Sequence, residues 1–377
     1  MSRSARPNQR RTRFRKLAVL LLGSLTSLLL VGTGGPAHAA AGVSLPGDES
    51  PHVSAGMEWW YITGHLSGKD LLGKTHSYGF ETLINRVDGL STAPVATIYN
   101  GNFAIADLTR GTYSSTKSLY SISPDNVPAG GGFSVSAGPI HIDGKNLVNH
   151  FSGGFSDLSY VFGTMTASQT QPAALHGNAG TIGYGPFGTS GYYSETNLHV
   201  TGTLFDHGSP VNVTGTAWLD HQWGNWTPGQ GGWEWYSLQL SNNTQYMLYF
   251  IRDANGNYVQ TIGTRVNADG TTTNLPTAQL SRATTGTWTS PDTGITYPVA
   301  STVNVPGGTL AVTPQLVNQE VWSSLIPQGN YWEGTSTVAG TINGQAVTGQ
   351  AYAEVIPFID MPGHGYVWTS VKNLLGI

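Results

Sequence analysis

The 377-residue chain contains no cysteine, so a disulfide framework and a cysteine nucleophile are both excluded and stability has to come from a packed core. Charge is also scarce, at 10% of residues. No Gly-x-Ser-x-Gly elbow, His-x-His pair or His-Glu-x-x-His pair occurs, which removes sequence support for elbow-type acyl transfer and for zinc catalysis, and no metal or other cofactor is expected. Helical periodicity is nearly missing. The main exception is a short tail around Val371 to Ile377, and it is too short to shape the fold.

What is present begins with a segment that does not belong to the fold. Arg3, Arg6, Arg10, Arg11, Arg13, Arg15 and Lys16 form a basic region, Leu17 to Val31 is apolar, and Ala37-His38-Ala39 offers a small-x-small cleavage site. This pattern predicts a signal peptide over residues 1–39, of the general secretory type because Arg13 stands where a twin-arginine motif wants phenylalanine. Its removal leaves ten basic against twenty-one acidic side chains, a net charge of −11. That balance argues against a nucleic-acid or anionic-membrane partner. The expected location is therefore outside the cytoplasm, with contact to a membrane only through the signal segment.

Fifty glycines, with Thr, Ser, Val and Tyr in short alternating runs broken by Gly, Asn, Asp or Pro, predict an all-β protein with little helix. Gly130 to Gly132, Gly138, Gly153-Gly154 and the run from Gly177 to Gly191 read as loops or hairpins. Three matches recur in the same order. Glu58-Trp59-Trp60-Tyr61 returns as Glu234-Trp235-Tyr236, Tyr193-Ser194-Glu195 as Tyr331-Trp332-Glu333, and Val213-Thr214-Gly215-Thr216-Ala217-Trp218 as Val347-Thr348-Gly349-Gln350-Ala351-Tyr352. Gly202 and Gly340 follow Glu195 and Glu333 at the same interval. Two copies of one β unit are implied, over residues 40–226 and 233–360, with a glycine-rich linker from Thr227 to Gly232 and a tail over 361–377. Each unit must hide its edge strands, so closed or nearly closed barrels are expected.

The most concentrated chemistry lies in Trp218-Leu219-Asp220-His221-Gln222-Trp223-Gly224. In an extended strand, Trp218, Asp220 and Gln222 share one face and Leu219, His221 and Trp223 the other. Asp220 and His221 then point apart, while His221 and Trp223 project together, an imidazole beside an indole. The bland alternative is an aromatic-rich core strand with one satisfied histidine. The remaining histidines, among them His52 and His176, are scattered and read as surface or core residues, and Glu58, Glu234, Glu195 and Glu333 read as braces of the two units.

Glu58-Trp59-Trp60-Tyr61 with Gly64 and Leu66, Gly79-Phe80-Glu81, Tyr193-Ser194-Glu195 and Ala217 to Gly224 together resemble the two-domain lipocalin-like family of carotenoid 1,2-hydratases and AttH-type secreted proteins. The resemblance covers the chain after its amino-terminal segment and implies two tandem lipocalin-like β-barrel domains. It implies a catalytic set in which His221 and Trp223 match the family's histidine and tryptophan, and Tyr249 its tyrosine. Ile251 occupies the position of the family's aspartate, and Asp253 lies two residues further on, in a turn signal.

Protonating an alkene carbon needs a desolvated acid and aromatic faces to steady the cation. Asp220, Glu81, Glu58 and Glu234 are candidate acids; Trp218, Trp223, Trp226, Trp233, Trp235 and Tyr249 are candidate lining. His221, Trp223, Tyr249 and Asp220 are thus the expected catalytic residues, and Trp218, Trp226, Trp233, Trp235 and Glu81 the expected ligand contacts. The expected partner is an apolar, isoprenoid-like small molecule, and the expected chemistry is that of a hydro-lyase. A carrier of the same ligand, a cyclase or pericyclase, and a glycan binder using exposed tryptophans are the alternatives.

Overall fold

A computed structural model describes residues 42–87, 98–122, 127–185, 188–226, 232–253, 255–322 and 330–357, with residues 87, 98, 118–122 and 226 described by backbone alone. The expected signal segment and carboxy-terminal tail, and nearly all of the expected linker, lie outside these residues. The regular structure of the described residues is nearly all strand. The first sheet contains β1 (Met57–Lys69), β2 (Thr75–Val87), β3 (Ile98–Asp107), β4 (Thr112–Ile122), β5 (Phe133–Ala137), β6 (Ile140–Lys145), β7 (Val148–Gly154), β8 (Tyr160–Ser168), β9 (Ala174–Leu175), β10 (Thr181–Gly183), β11 (Gly188–Asp206) and β12 (Ser209–Trp226). The second contains β13 (Trp233–Leu240), β14 (Gln245–Arg252), β15 (Tyr258–Val266), β16 (Thr272–Asn274), β17 (Ser281–Thr289), β18 (Thr296–Val305), β19 (Gly308–Pro314), β20 (Glu320–Val321), β21 (Tyr331–Ile342) and β22 (Gln345–Ile356).

Both sheets wind alike. The orders are β4-β3-β2-β1-β12-β11-β8-β7-β6-β5 and β16-β15-β14-β13-β22-β21-β19-β18-β17. In each, the first strand pairs antiparallel with the last, β1 with β12 and β13 with β22, so the duplication read from the sequence is present as topology. The fold is lipocalin-like, but neither sheet closes by hydrogen bonds among the described residues. In the first, the edge strands β4 and β5 touch without pairing.

Among the described residues, alternating side chains build three large cores, and Ala104, Val321 and Tyr331 form a smaller fourth cluster. Ile62, Phe80, Phe103 and Leu219 fill the first barrel; Tyr236, Leu248, Val303 and Trp332 fill the second. Tyr61, Tyr192, Trp218, Trp235, Met247 and Tyr249 pack between the two sheets. Gly153 and Gly154 depart from the loop expectation. They end β7 beside a register shift at Phe151/Gly153, where a glycine lets the strand bend without a clashing Cβ.

The second departure concerns Glu195 and Glu333. The two stand at matching places in the sequence repeat, yet Glu195 pairs with Leu219, whereas Glu333 pairs with Glu354. β11 carries a register shift between Glu195 and Leu198 that β21 lacks. One extra residue in a strand sends every later side chain to the opposite face. Glu195 therefore turns into the first barrel, where Asn149 donates to it at 2.7 Å, and Glu333 turns towards the first sheet.

The sheets meet closely at Gly79, where any Cβ would run into the side chain of Thr335. Gly79→Val should destabilise the protein by about 1–3 kcal/mol through overpacking, measured as the urea midpoint, and Thr335→Gly, which removes the Cβ nearest the new side chain, should recover part of the loss. An unchanged midpoint would mean that the sheets do not pack at this point.

Candidate active site between the sheets

The two aromatic motifs are strand neighbours. β1 and β12 pair so that Glu58 lies opposite Trp223, Trp60 opposite His221, and Tyr61 opposite Asp220. Alternation then sorts both motifs by face, as the sequence pattern predicts. Glu58, Trp60, His221 and Trp223 turn into the first barrel, while Tyr61, Trp218, Asp220 and Gln222 turn towards the second sheet.

Inside the first barrel, His221 is fully buried. Its Nε2 lies 2.8 Å from Glu58 Oε1 and its Nδ1 3.2 Å from the Tyr193 hydroxyl, and its ring stacks on Trp60 at 4.8 Å. His52 reaches the same Glu58 oxygen at 2.9 Å and stacks on Trp223 at 3.7 Å. Burial pushes the Glu58 carboxyl up, but hydrogen bonds from His221 and His52 outweigh it and hold the group below the usual carboxylate range. Burial lowers His221, against the pull of Glu58.

Between the sheets the carboxyls behave in the opposite way. Asp220 accepts hydrogen bonds from the Tyr192 hydroxyl at 2.6 Å, from Trp218 Nε1 at 2.5 Å and from Ser194. Burial nevertheless pushes it up to about 7. Ser194 Oγ lies 2.6 Å from His176 Nε2, and Thr264 Oγ1 lies 2.9 Å from His176 Nδ1; burial lowers this histidine to about 3. Glu81, contributed by β2, is buried and raised to about 8 by desolvation, with Glu354 adding to the rise. Glu333 is buried and raised well above the usual range by desolvation and then by Glu81 and Glu354. Glu354, partly covered, is pushed up to about 7, chiefly by desolvation.

Tyrosines hold this acid group in place. The Tyr331 hydroxyl donates to Glu81 Oε1 at 2.6 Å, and Asn102 Nδ2 in turn donates to Tyr331 at 2.7 Å. Tyr61 donates to Glu333 Oε1 at 2.6 Å. The second oxygens, Glu81 Oε2 and Glu333 Oε2, have no hydrogen-bond partner among the described residues.

The expected catalytic set is thus divided. His221 and Trp223 lie inside the first barrel, whereas Asp220 and Tyr249 lie between the sheets. Tyr249 packs edge-on against Tyr184 at 5.8 Å and Trp233 at 5.9 Å, and Ile251 occupies the same inter-sheet core. Among the expected ligand contacts, Glu81, Trp218 and Trp235 are buried there, with Trp235 Nε1 donating to Tyr192 at 3.0 Å. Trp233, half-buried, donates to Glu354 at 2.7 Å. Trp226 ends β12, and its side chain lies outside the described residues. Asp253 sits in the β14–β15 turn, as its neighbours suggested, accepting from the backbone of Asn255 and Asn257.

The sequence pattern reads Glu333 as a brace and does not single out Glu354. One signal was available for the latter. Continuing the repeat two residues past Tyr352 places Glu354 at the position of Asp220. Nothing comparable marked Glu333, because the bulge that separates it from Glu195 has no sequence signature of its own.

A family model described as AttH-like matches residues 36–356. The chain belongs to the AttH-like family. It is similar to the crystal structure of an AttH protein from Nitrosomonas europaea, at 26% identity and a TM-score of 0.74 over 86% of this chain and all of that one. It is also similar in fold to kievitone hydratase from Nectria haematococca, at 20% identity and a TM-score of 0.66 over 84% of this chain and 94% of that one. No curated protein sequence matches the chain.

In this AttH-like protein the raised acids set a pH dependence. Above the ordinary carboxyl range of 3.8 to 4.5, the unfolded chain has released protons that Asp220 and Glu81 keep up to about 7 and about 8 in the fold. Because the native state binds more protons, these groups make stability fall as pH rises through that window. Urea midpoints from pH 4.5 to 8.5 should fall less steeply for Asp220→Asn and Glu81→Gln than for wild type. Parallel profiles would mean that both groups ionise freely.

Proposed function

We propose that this protein is a hydro-lyase-type enzyme that adds water across, or removes it from, a carbon–carbon bond of an apolar small molecule held between the two sheets. The observation that carries this reading is the arrangement of Glu81 and Glu333. Each uses Oε1 to accept a tyrosine hydroxyl, so the proton retained through burial belongs on Oε2, the oxygen without a partner. A buried hydroxyl left unpaired costs roughly 1–3 kcal/mol, which a ligand or water at that point relieves.

The chemistry follows from that geometry. One carboxyl gives its proton to an alkene carbon, with the π electrons forming the C–H bond. The cation left on the neighbouring carbon is steadied by aromatic faces such as Trp218, Trp235 and Tyr352, at up to about 2 kcal/mol each when dry. Water forms the new C–O bond and loses a proton to the carboxylate, which returns the enzyme to its starting state. Glu354 and Trp233, both only partly covered, mark the side from which solvent reaches the acids. The fold is shared with a protein named as a hydratase.

A non-catalytic carrier of the same apolar ligand is the second reading. Ile251 favours it, because an apolar side chain stands beside Tyr249 where the resemblance expects an aspartate. Export belongs to either reading and rests on the basic and apolar amino-terminal residues alone.

The test is to incubate the protein with lipid and isoprenoid extracts and to recover bound material by native mass spectrometry. Wild type should return a ligand heavier or lighter by one water. Glu81→Gln and Glu333→Gln should cut that conversion by about 10²-fold or more while still binding. The same unaltered ligand recovered from all three would make the protein a carrier.

A further inference from the structure

The first barrel carries a second constellation that the inter-sheet chemistry does not use. We infer that His52, Glu58 and His221 form a binding site for one divalent transition-metal ion of the zinc class. One ligand atom from each residue falls in a group whose members all lie within 4.8 Å of one another. His52 Nδ1 and His221 Nε2 converge on the same oxygen, Glu58 Oε1, at 2.9 and 2.8 Å. Two imidazoles and one carboxylate are the donor set that suits zinc-like ions and disfavours magnesium or calcium, which take oxygen ligands.

The surroundings are those of a metal site rather than of a plain brace. A ligating histidine needs its other ring nitrogen held by a partner. His52 Nε2 lies 3.3 Å from Asp48 Oδ1, and His221 Nδ1 lies 3.2 Å from the Tyr193 hydroxyl. The backbone N–H of His52 donates to both Glu58 oxygens, Oε2 at 2.9 Å and Oε1 at 3.0 Å, and it is Oε1 that also faces the two rings. Trp223 fixes the plane of His52 by stacking at an interplanar angle of 4°, and Trp60 does the same for His221 at 23°.

Glu58 and His221 are held by the paired strands β1 and β12. His52 lies outside any strand, in the segment leading into β1, and its side chain is 18% exposed. Ligand atoms held at roughly 2.0–2.2 Å from a tetrahedral zinc-like ion stand about 3.3–3.5 Å apart, so the two imidazole–carboxylate contacts of 2.9 and 2.8 Å open slightly as the ion enters between them. The ion would pin the amino-terminal segment across the mouth of the barrel, with an open position towards solvent on the His52 side.

This site was invisible to motif reading because its ligands come from residues 52, 58 and 221, with no short-range His pair. A rival lies on the surface, where His141 and His150 flank Asp143 at 3.2 and 3.1 Å, although these three do not converge on one oxygen.

The experiment uses tag-free full-length protein, stripped with a chelator and titrated with zinc and with cobalt(II), reading stoichiometry by calorimetry and the visible absorption of cobalt. One equivalent should bind to wild type. His52→Ala and Glu58→Gln should each weaken binding at least about 10-fold, and His150→Ala should leave it unchanged. His52→Ala, altering a partly exposed residue outside the sheets, keeps the test decisive should Glu58→Gln fail to fold, and circular dichroism checks both. Absence of a stoichiometric ion in wild type, wild-type affinity in folded His52→Ala protein, or loss of binding in His150→Ala protein with His52→Ala intact would each overturn the inference.

Discussion

Where the two sheets face each other, the central strands β1, β12, β13 and β22 have no solvent face; only their outer ends, such as Lys69, Asn212, Thr214, Thr348 and Gln350, are exposed. One side of each looks into its own barrel and the other into the contact between the sheets. In an ordinary antiparallel sheet the outward positions take polar side chains at no cost, because water solvates them. Along this buried stretch a carboxyl has to be ion-paired, hydrogen-bonded or neutral. The rest of the molecule follows from how each one meets that demand.

Two solutions are visible, and they differ in charge. Inside the first barrel Glu58 stays ionised because two histidines donate to it. The second barrel solves the same problem with arginine, as Glu234 faces Arg252 and Arg282. Between the sheets Asp220, Glu81 and Glu333 are pushed up instead; their donors are mostly tyrosine and serine hydroxyls, which satisfy an oxygen without supplying a full positive charge. A carboxyl in such a setting is a stored proton rather than a negative charge. That distinction directs attention from the histidine-rich motif to the inter-sheet face when acid chemistry is sought.

The same constraint gives the duplication its asymmetry. A repeat of identical topology would place equivalent side chains on equivalent faces. The bulge in β11 turns Glu195 into the first barrel while its counterpart Glu333 faces outward, and Ser194 takes the inter-sheet place beside Asp220. The result is one acid-rich face made jointly by two units that began alike, with Glu81 supplied by the first and Glu333 and Glu354 by the second.

The sequence by itself determined the β class, the repeat, the membership implied by the aromatic motifs and the separation of Asp220 from His221, because all of these depend on local composition or on the two-residue period of a strand. It also contained Glu354 as a repeat position. Only the tertiary structure decided that Tyr249 shares a face with Asp220 and not with His221, that Glu81 meets Tyr331 across 250 residues, and that His52 returns to Glu58 and His221. Those contacts depend on register, on a single bulged residue and on how two curved sheets stack. None of these leaves a periodic trace in the chain, because the partners are brought together by packing at long sequence separation rather than by spacing.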